Sequence, residues 1–118
     1  DQYGAPTSSH SIADVVFAVL QVWTSQSGTY HLANAGETTW HDFAQAIVEG
    51  YAKLGLTPPL KTAMQNIHAI TTEEYPTPAA RPANSRLSCE KLKQDFGVTM
   101  PHWREALQNE LHLSFTAR

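Results

Sequence analysis

Cysteine is almost missing from this chain of 118 residues: Cys89 is the only one, so no disulfide can form within it. That excludes a disulfide-stapled secreted scaffold and makes a cytoplasmic setting the expectation. Basic residues are scarce too. Eight Lys and Arg stand against eleven Asp and Glu, for a formal charge of −3. With no basic stripe to neutralise phosphates, a nucleic-acid partner is not expected. No apolar run approaches the roughly 20 residues that cross a bilayer, so no membrane partner is expected either. An initiator Met is lacking, and Asp1–Thr7 has neither the basic nor the apolar stretch of a signal peptide. The length allows one domain or part of one, and a piece of a longer polypeptide is the expectation.

Catalytic motifs are also missing. The six glycines form no G-x-G-x-x-G turn and no G-x-x-x-x-G-K-[ST] loop, and no G-x-S-x-G elbow occurs. No Tyr has a Lys four residues later, the spacing that lets a lysine lower a catalytic tyrosine's pKa. His10, His31, His41, His68, His102 and His112 never fall at H-x-x-x-H or beside a carboxylate cluster, so no metal site is predicted. Neither catalytic nor cofactor-binding residues are assigned in this chain.

What is present is a pattern of amphipathic helices and short strands. Ile12, Val15, Val16, Val19, Leu20 and Trp23 recur at helical spacing, and Ser11 with Asp14 resembles a capping box, predicting a helix to about Thr24. Thr29–Asn34 alternates as a strand would, and Ile67–Thr72 is a second short strand candidate. Between them Thr39 and Asp42 open a helix carrying Phe43, Ala44, Ile47, Val48, Tyr51 and Leu54, with Gly55 as its left-handed end. Glu74–Asn84 contains Pro76, Pro78 and Pro82 and is irregular by necessity. Ser88 is placed to cap a third helix, with Leu87 and Leu92 as a hydrophobic staple and Gly97 as its end. Pro101 suits the first turn of a last helix, in which Trp103, Leu107 and Leu111 share a face. Two short strands make a marginal sheet alone, which again points to part of a larger α/β fold.

Three segments carry chemistry. In Asp1–Thr7, Gly4 and Pro6 combine close backbone approach with stiffness, though a plain linker has the same composition. Trp40, in the first turn of its helix, either presents a flat face to a base or sugar or packs the helix start; packing is the expectation. In Tyr75–Leu87 the prolines set the path of a loop bearing Arg81, Asn84, Ser85 and Arg86. Arginine forks match phosphate or carboxylate oxygens, so this loop suits a phosphorylated ligand or an internal carboxylate such as Asp1.

Together these segments resemble the dTDP-4-dehydrorhamnose reductases. Asp1-Gln2-Tyr3-Gly4-Ala5-Pro6-Thr7, Gly28-Thr29-Tyr30-His31-Leu32, Thr39-Trp40-His41-Asp42-Phe43-Ala44 and Tyr75-Pro76-Thr77-Pro78 occur in the family's order. Arg81-Pro82-Ala83-Asn84-Ser85-Arg86-Leu87, Glu90-Lys91, Phe96-Gly97 and Pro101-His102-Trp103 continue it, so the likeness covers essentially the whole chain. The resemblance implies an α/β fold: the C-terminal substrate-domain portion of an extended short-chain dehydrogenase of Rossmann type, helix-rich with two or three short strands. Residues 1–118 would be the sugar-nucleotide-binding part. The NADPH-binding Rossmann domain, its Gly-rich turn and the Tyr/Lys proton-transfer pair would lie upstream. The implied reaction is reduction of the 4-keto group of dTDP-4-dehydro-6-deoxy-L-mannose to dTDP-L-rhamnose by NADPH or NADH. Gln2, Tyr3, Ala5, Pro6, Arg81, Asn84, Ser85 and Arg86 become the substrate-binding candidates, with the isolated chain inactive and binding no cofactor.

The implied partners are the dTDP-sugar, the chain's own Rossmann domain and a second copy in a homodimer. Some relatives join such dimers through a divalent metal on acidic residues, which Ser25–Gly28 and Leu111–Phe115 do not supply here. A different role within the same superfamily is a non-catalytic regulatory subunit resembling the methionine adenosyltransferase β-subunit. A free-standing ligand-binding module is a third.

Overall fold

The computed structural model describes residues 1–116. Among them the elements run β1 (Tyr3–Gly4), α1 (Ser9–Val22), β2 (Thr38–Thr39), α2 (Trp40–Lys53), α3 (Glu90–Phe96) and α4 (Trp103–Thr116), with a 3-10 turn at Met64–Asn66. The architecture is therefore helix-rich α/β with two very short strands, as the sequence predicts.

Local chemistry sets the helix ends. Thr39 caps α2, its Oγ1 accepting the Asp42 amide at 3.2 Å, and Asp42 lies in the first turn, where a negative charge suits the helix dipole. Gly55 and Gly97 take φ of +63° and +67° just beyond α2 and α3, the left-handed exits that a β-carbon disfavours.

Three helix starts differ from the prediction. α1 begins at Ser9 with Ser8, not Ser11, as its cap; Ser8 Oγ accepts the Ser11 amide at 3.0 Å. The reason is Asn34, only 2 % exposed. Its Oδ1 accepts the Ser8 amide at 3.0 Å, and its Nδ2 donates to Ser11 Oγ and the Pro101 carbonyl, each at 3.1 Å. A buried amide that finds all these partners fixes where the helix starts. α3 begins at Glu90, and Leu87 stays exposed rather than stapling the end. Pro101 precedes α4 instead of entering it, because its carbonyl also accepts the Ala35 amide at 2.8 Å.

Neither predicted longer strand forms. Thr29–Asn34 has no regular structure, and just after it Ala35 meets His102 through one parallel bridge. Pro101 has no N–H to lengthen that ladder, and Thr7 Oγ1 takes the Asn34 amide at 3.1 Å. In Ile67–Thr72, side chains claim the polar backbone: His41 Nε2 lies 3.3 Å from the Ile67 carbonyl, and the Thr71 and Thr72 amides donate to Glu74 and Asp1.

The core is small. Val15, Leu92 and Met100 are buried together, with Val19, Tyr30, Leu32, Phe96 and Val98 packed around them. α2 packs on α4, where a β-carbon on Gly50 would press against Leu111 Cδ1 at 2.6 Å. The predicted apolar face of the first helix is split: Val15 is buried, while Leu20 and, just past the end of α1, Trp23 are each more than half exposed. The chain spreads over 50 × 39 × 21 Å with a radius of gyration of 16.9 Å, against about 13–14 Å for a self-contained domain of this length.

Candidate functional site

The site forms where three distant segments meet at Tyr3. On one side β1 pairs antiparallel with β2, Tyr3 opposite Thr39 and Gly4 opposite Thr38. On the other, the Tyr3 amide donates to the Ala83 carbonyl and the Ser85 amide donates to the Tyr3 carbonyl, both at 2.8 Å. Tyr3 is thus the middle of a three-segment ladder whose outer members are the start of α2 and the proline-rich loop. Extended segments rich in proline can join such a ladder only through their few remaining amides, and Ser85 supplies one.

The loop from Asp1 is tied down further. The Asp1 carboxylate accepts from the Thr72 amide at 2.9 Å and from Thr72 Oγ1 at 2.5 Å, and Gln2 Nε2 donates to Thr72 Oγ1 at 3.2 Å. Thr7 Oγ1 closes the loop's far end on the Ala5 carbonyl at 3.0 Å. Gly4 is not demanded by space among the described residues: a β-carbon there would meet Ser85 Cβ at 3.8 Å, an ordinary contact.

Beside this ladder lies an open cavity of about 210 Å³. Gln2, Tyr3, Ala5, Pro6 and Ser85 line it, which brings five of the eight sequence-predicted binding residues to one place. Thr38, Thr39, Trp40 and Phe43 complete the wall with Gly4. Trp40 is 71 % exposed, so the expectation that it packs the helix start does not hold. Its ring meets that of Phe43 edge-on, at 6.4 Å between centroids.

The other three predicted residues stand off the cavity wall. Asn84 Oδ1 accepts both the backbone amide and Nε of Arg86, at 3.0 and 2.9 Å. Arg86 also pairs through NH1 with Glu37. Asn84, Arg86 and Glu37 therefore form a latch that fastens the proline-rich loop to the residue before β2. Arg81 is exposed, and none of the ion pairs among the described residues involves it. The carboxylate of Asp1 goes to Thr72, so the Arg81–Asp1 pairing that the sequence allowed is not formed.

Sequence reasoning missed Glu37 and Thr72. Glu37 offered one signal, a carboxylate opposite in sign to the arginine loop, but no spacing rule links positions so far apart. Glu74, two residues from Thr72 in the chain, accepts the Thr71 amide at 2.6 Å. That backbone hydrogen bond holds its carboxyl below the ordinary range.

Among the described residues no cluster of three His, Cys, Asp or Glu could hold a metal. A nicotinamide cofactor does not fit them either. The left-handed glycines Gly28, Gly36, Gly55 and Gly97 sit singly at turns and helix ends. None forms the strand–glycine turn–helix unit that cradles a dinucleotide.

Residues 1–114 match the family described as the RmlD substrate binding domain. This chain belongs to that family. Its relatives include a dTDP-4-dehydrorhamnose reductase of Burkholderia thailandensis, 45 % identical over 114 residues, covering 91 % of this chain and 38 % of that protein. The reductase of Salmonella typhimurium is 39 % identical over 119 residues, covering 98 % of this chain and 38 % of that protein. The crystal structure of the Bacillus anthracis reductase in complex with NADP superimposes with a TM-score of 0.76 at 29 % identity, covering 98 % of this chain and 36 % of that one. An RmlD substrate-binding domain thus spans little more than a third of the relatives it matches, and among its described residues no helix is long and apolar enough to cross a membrane.

Proposed function

We propose that this chain is the sugar-nucleotide-binding part of a cytoplasmic NADPH-dependent reductase. That enzyme converts dTDP-4-dehydro-6-deoxy-L-mannose to dTDP-L-rhamnose. The observation that carries the reading is the meeting of Gln2–Pro6 with Ser85 around one cavity, held by backbone bonds on both sides of Tyr3. Gln2, Tyr3, Ala5, Pro6 and Ser85 wall the substrate, while Arg81, Asn84 and Arg86 face its diphosphate. Arg86 uses Nε and NH1 on Asn84 and Glu37, and the rest of its fork remains to donate to a phosphate oxygen.

Hydride and proton transfer belong to a further part of the polypeptide that binds the cofactor. Two features support incompleteness here: the flat, spread shape and the exposed apolar side of α1 at Phe17 and Leu20. Monomeric domains seldom leave such a face uncovered. The chain alone is then a ligand-binding piece without turnover.

The test is NADPH oxidation with the 4-keto sugar nucleotide, measured on the natural polypeptide that carries this sequence and on residues 1–118 alone. Turnover by the first and none by the second is expected. Arg81→Ala in the longer polypeptide should raise KM about ten-fold, the loss of one charge-assisted phosphate contact. Failure of the longer polypeptide to reduce the sugar nucleotide would leave the regulatory-subunit role in its place.

A further inference from the structure

We propose that His41 is a positioning residue of the sugar-nucleotide site. With both ring nitrogens protonated, it clamps the segment Ile67–Thr72 to the start of α2 and so steadies Gln2 at the cavity wall. The assignment rests on the sugar-nucleotide reading and adds to it a dependence on pH.

The path from His41 to the cavity is made of hydrogen bonds. Its Nε2 lies 3.3 Å from the Ile67 carbonyl. At the far end of the segment, Thr72 Oγ1 donates to the Asp1 carboxylate at 2.5 Å and accepts Gln2 Nε2 at 3.2 Å. Gln2 in turn lines the cavity. Ile67 and Thr72 are half-buried, and the residues between them are exposed, with no helix or strand to stiffen them. A strap of this kind is held at its ends. Releasing one end gives it conformational freedom that ligand binding must then remove.

Protonation enters through the other ring nitrogen. Nδ1 lies 3.0 Å from the Asp42 carboxylate, so both nitrogens face oxygens that accept. The imidazolium has two N–H groups and satisfies both oxygens, whereas the neutral ring has one. A carboxylate is the stronger acceptor and draws that single N–H to Nδ1. Nε2 then turns a lone pair toward the Ile67 carbonyl, and the clamp opens. The ring is only 26 % exposed, which limits the room for water to replace the lost bond. Among the described residues no other charged group bonds to it. The 3-10 turn Met64–Asn66, packed on α2, and Ile67 carry no titratable side chain. His68 and Glu73 are exposed, while Glu74 and Asp1 are engaged by Thr71 and Thr72.

The test is calorimetric titration of the natural polypeptide with dTDP-rhamnose at about pH 6 and about pH 8, on either side of the usual histidine value. The diphosphate of this probe is esterified at both ends, so its charge is constant over the interval, and Glu74 stays ionised throughout. Wild type is expected to bind roughly two- to five-fold more tightly at the lower pH. His41→Gln carries a donor that does not titrate and should bind equally at both. His41→Phe should bind at both as wild type does at the higher pH. Thr72→Ala frees the other end of the strap, so adding His41→Phe to it should cost no further affinity. A role confined to packing the helix start would instead give additive losses and overturn the inference. Equal wild-type affinity at the two pH values would overturn it too, without any variant having to fold, and so would a pH dependence that persists in His41→Phe. These outcomes leave the function standing. A wild-type polypeptide that binds no dTDP-rhamnose at either pH would remove both.

Discussion

Ser85 donates its backbone N–H to the carbonyl of Tyr3 at 2.8 Å, and that bond joins the two loops of the candidate site. Its side chain meanwhile lines the cavity. Backbone and hydroxyl thus do separate jobs, and substitution can separate them. Ser85→Ala keeps the ladder and removes one neutral hydrogen-bonding group, so dTDP affinity should fall about two- to ten-fold with little change in melting temperature. Ser85→Pro removes the N–H itself and should abolish binding while loosening the Asp1–Thr7 loop. Equal behaviour of the two variants in titration would show that the ladder does not shape the site.

The Glu37–Arg86 pair is half exposed on both sides, at 52 % and 49 %. Exposed pairs contribute at most about 1 kcal/mol and are screened by salt. Glu37→Gln should therefore barely move global stability in urea melts. It should still weaken nucleotide binding, because Arg86 loses the partner that steadies the loop. An effect on stability above about 2 kcal/mol would contradict this account.

Gly36 has φ of +83°, and a β-carbon there would collide with the His102 imidazole. That ring is stacked on Trp103 at 5.8 Å and cannot withdraw without disturbing the start of α4. Gly36→Ala should cost about 1–3 kcal/mol from backbone strain, with the clash added. Gly97→Ala, at φ of +67° with open space around it, should cost only the backbone part. Denaturation curves that rank Gly97→Ala as the worse variant would refute the steric argument.

The Glu74 carboxyl is held below its ordinary value by the Thr71 amide. A lowered folded pKa means that the stabilisation is present above the ordinary carboxyl value and fades as pH falls through the folded one. The 71–74 turn adjoins Thr72, which holds Asp1 and Gln2. Acidification should therefore loosen this corner of the site. The Thr71 amide resonance should titrate with a midpoint below the usual glutamate range, and Glu74→Gln should abolish that titration. A midpoint at or above the usual range would sink the prediction.

Much of the local structure was legible in the residues. Thr39 with Asp42, Gly55, Gly97 and the proline-rich Glu74–Asn84 segment all behave as their chemistry requires. The failures share one cause. Ser11 was a sound cap by type, yet Ser8 serves because Asn34 holds its amide; Thr29–Asn34 and Ile67–Thr72 alternate like strands, yet side chains and Pro101 take or deny their ladder bonds. Five of the eight predicted binding residues share the cavity, because the family motif already grouped them. Trp40 suits packing by its place at the helix start and is instead exposed, since exposure is not a property of sequence position.

By itself the sequence determined the helix-rich architecture, the stiff loops and the absence of a phosphate-binding glycine turn. These depend on backbone sterics, side-chain reach within a few residues and the missing N–H of proline. Only the tertiary structure decided that Tyr3 lies between Thr39 and Ser85, that Arg86 turns to Glu37, and that Asp1 goes to Thr72 rather than Arg81. Such pairings are choices among many equivalent donors and acceptors far apart in the chain. They are settled by which groups the packed helices leave free and within reach of each other.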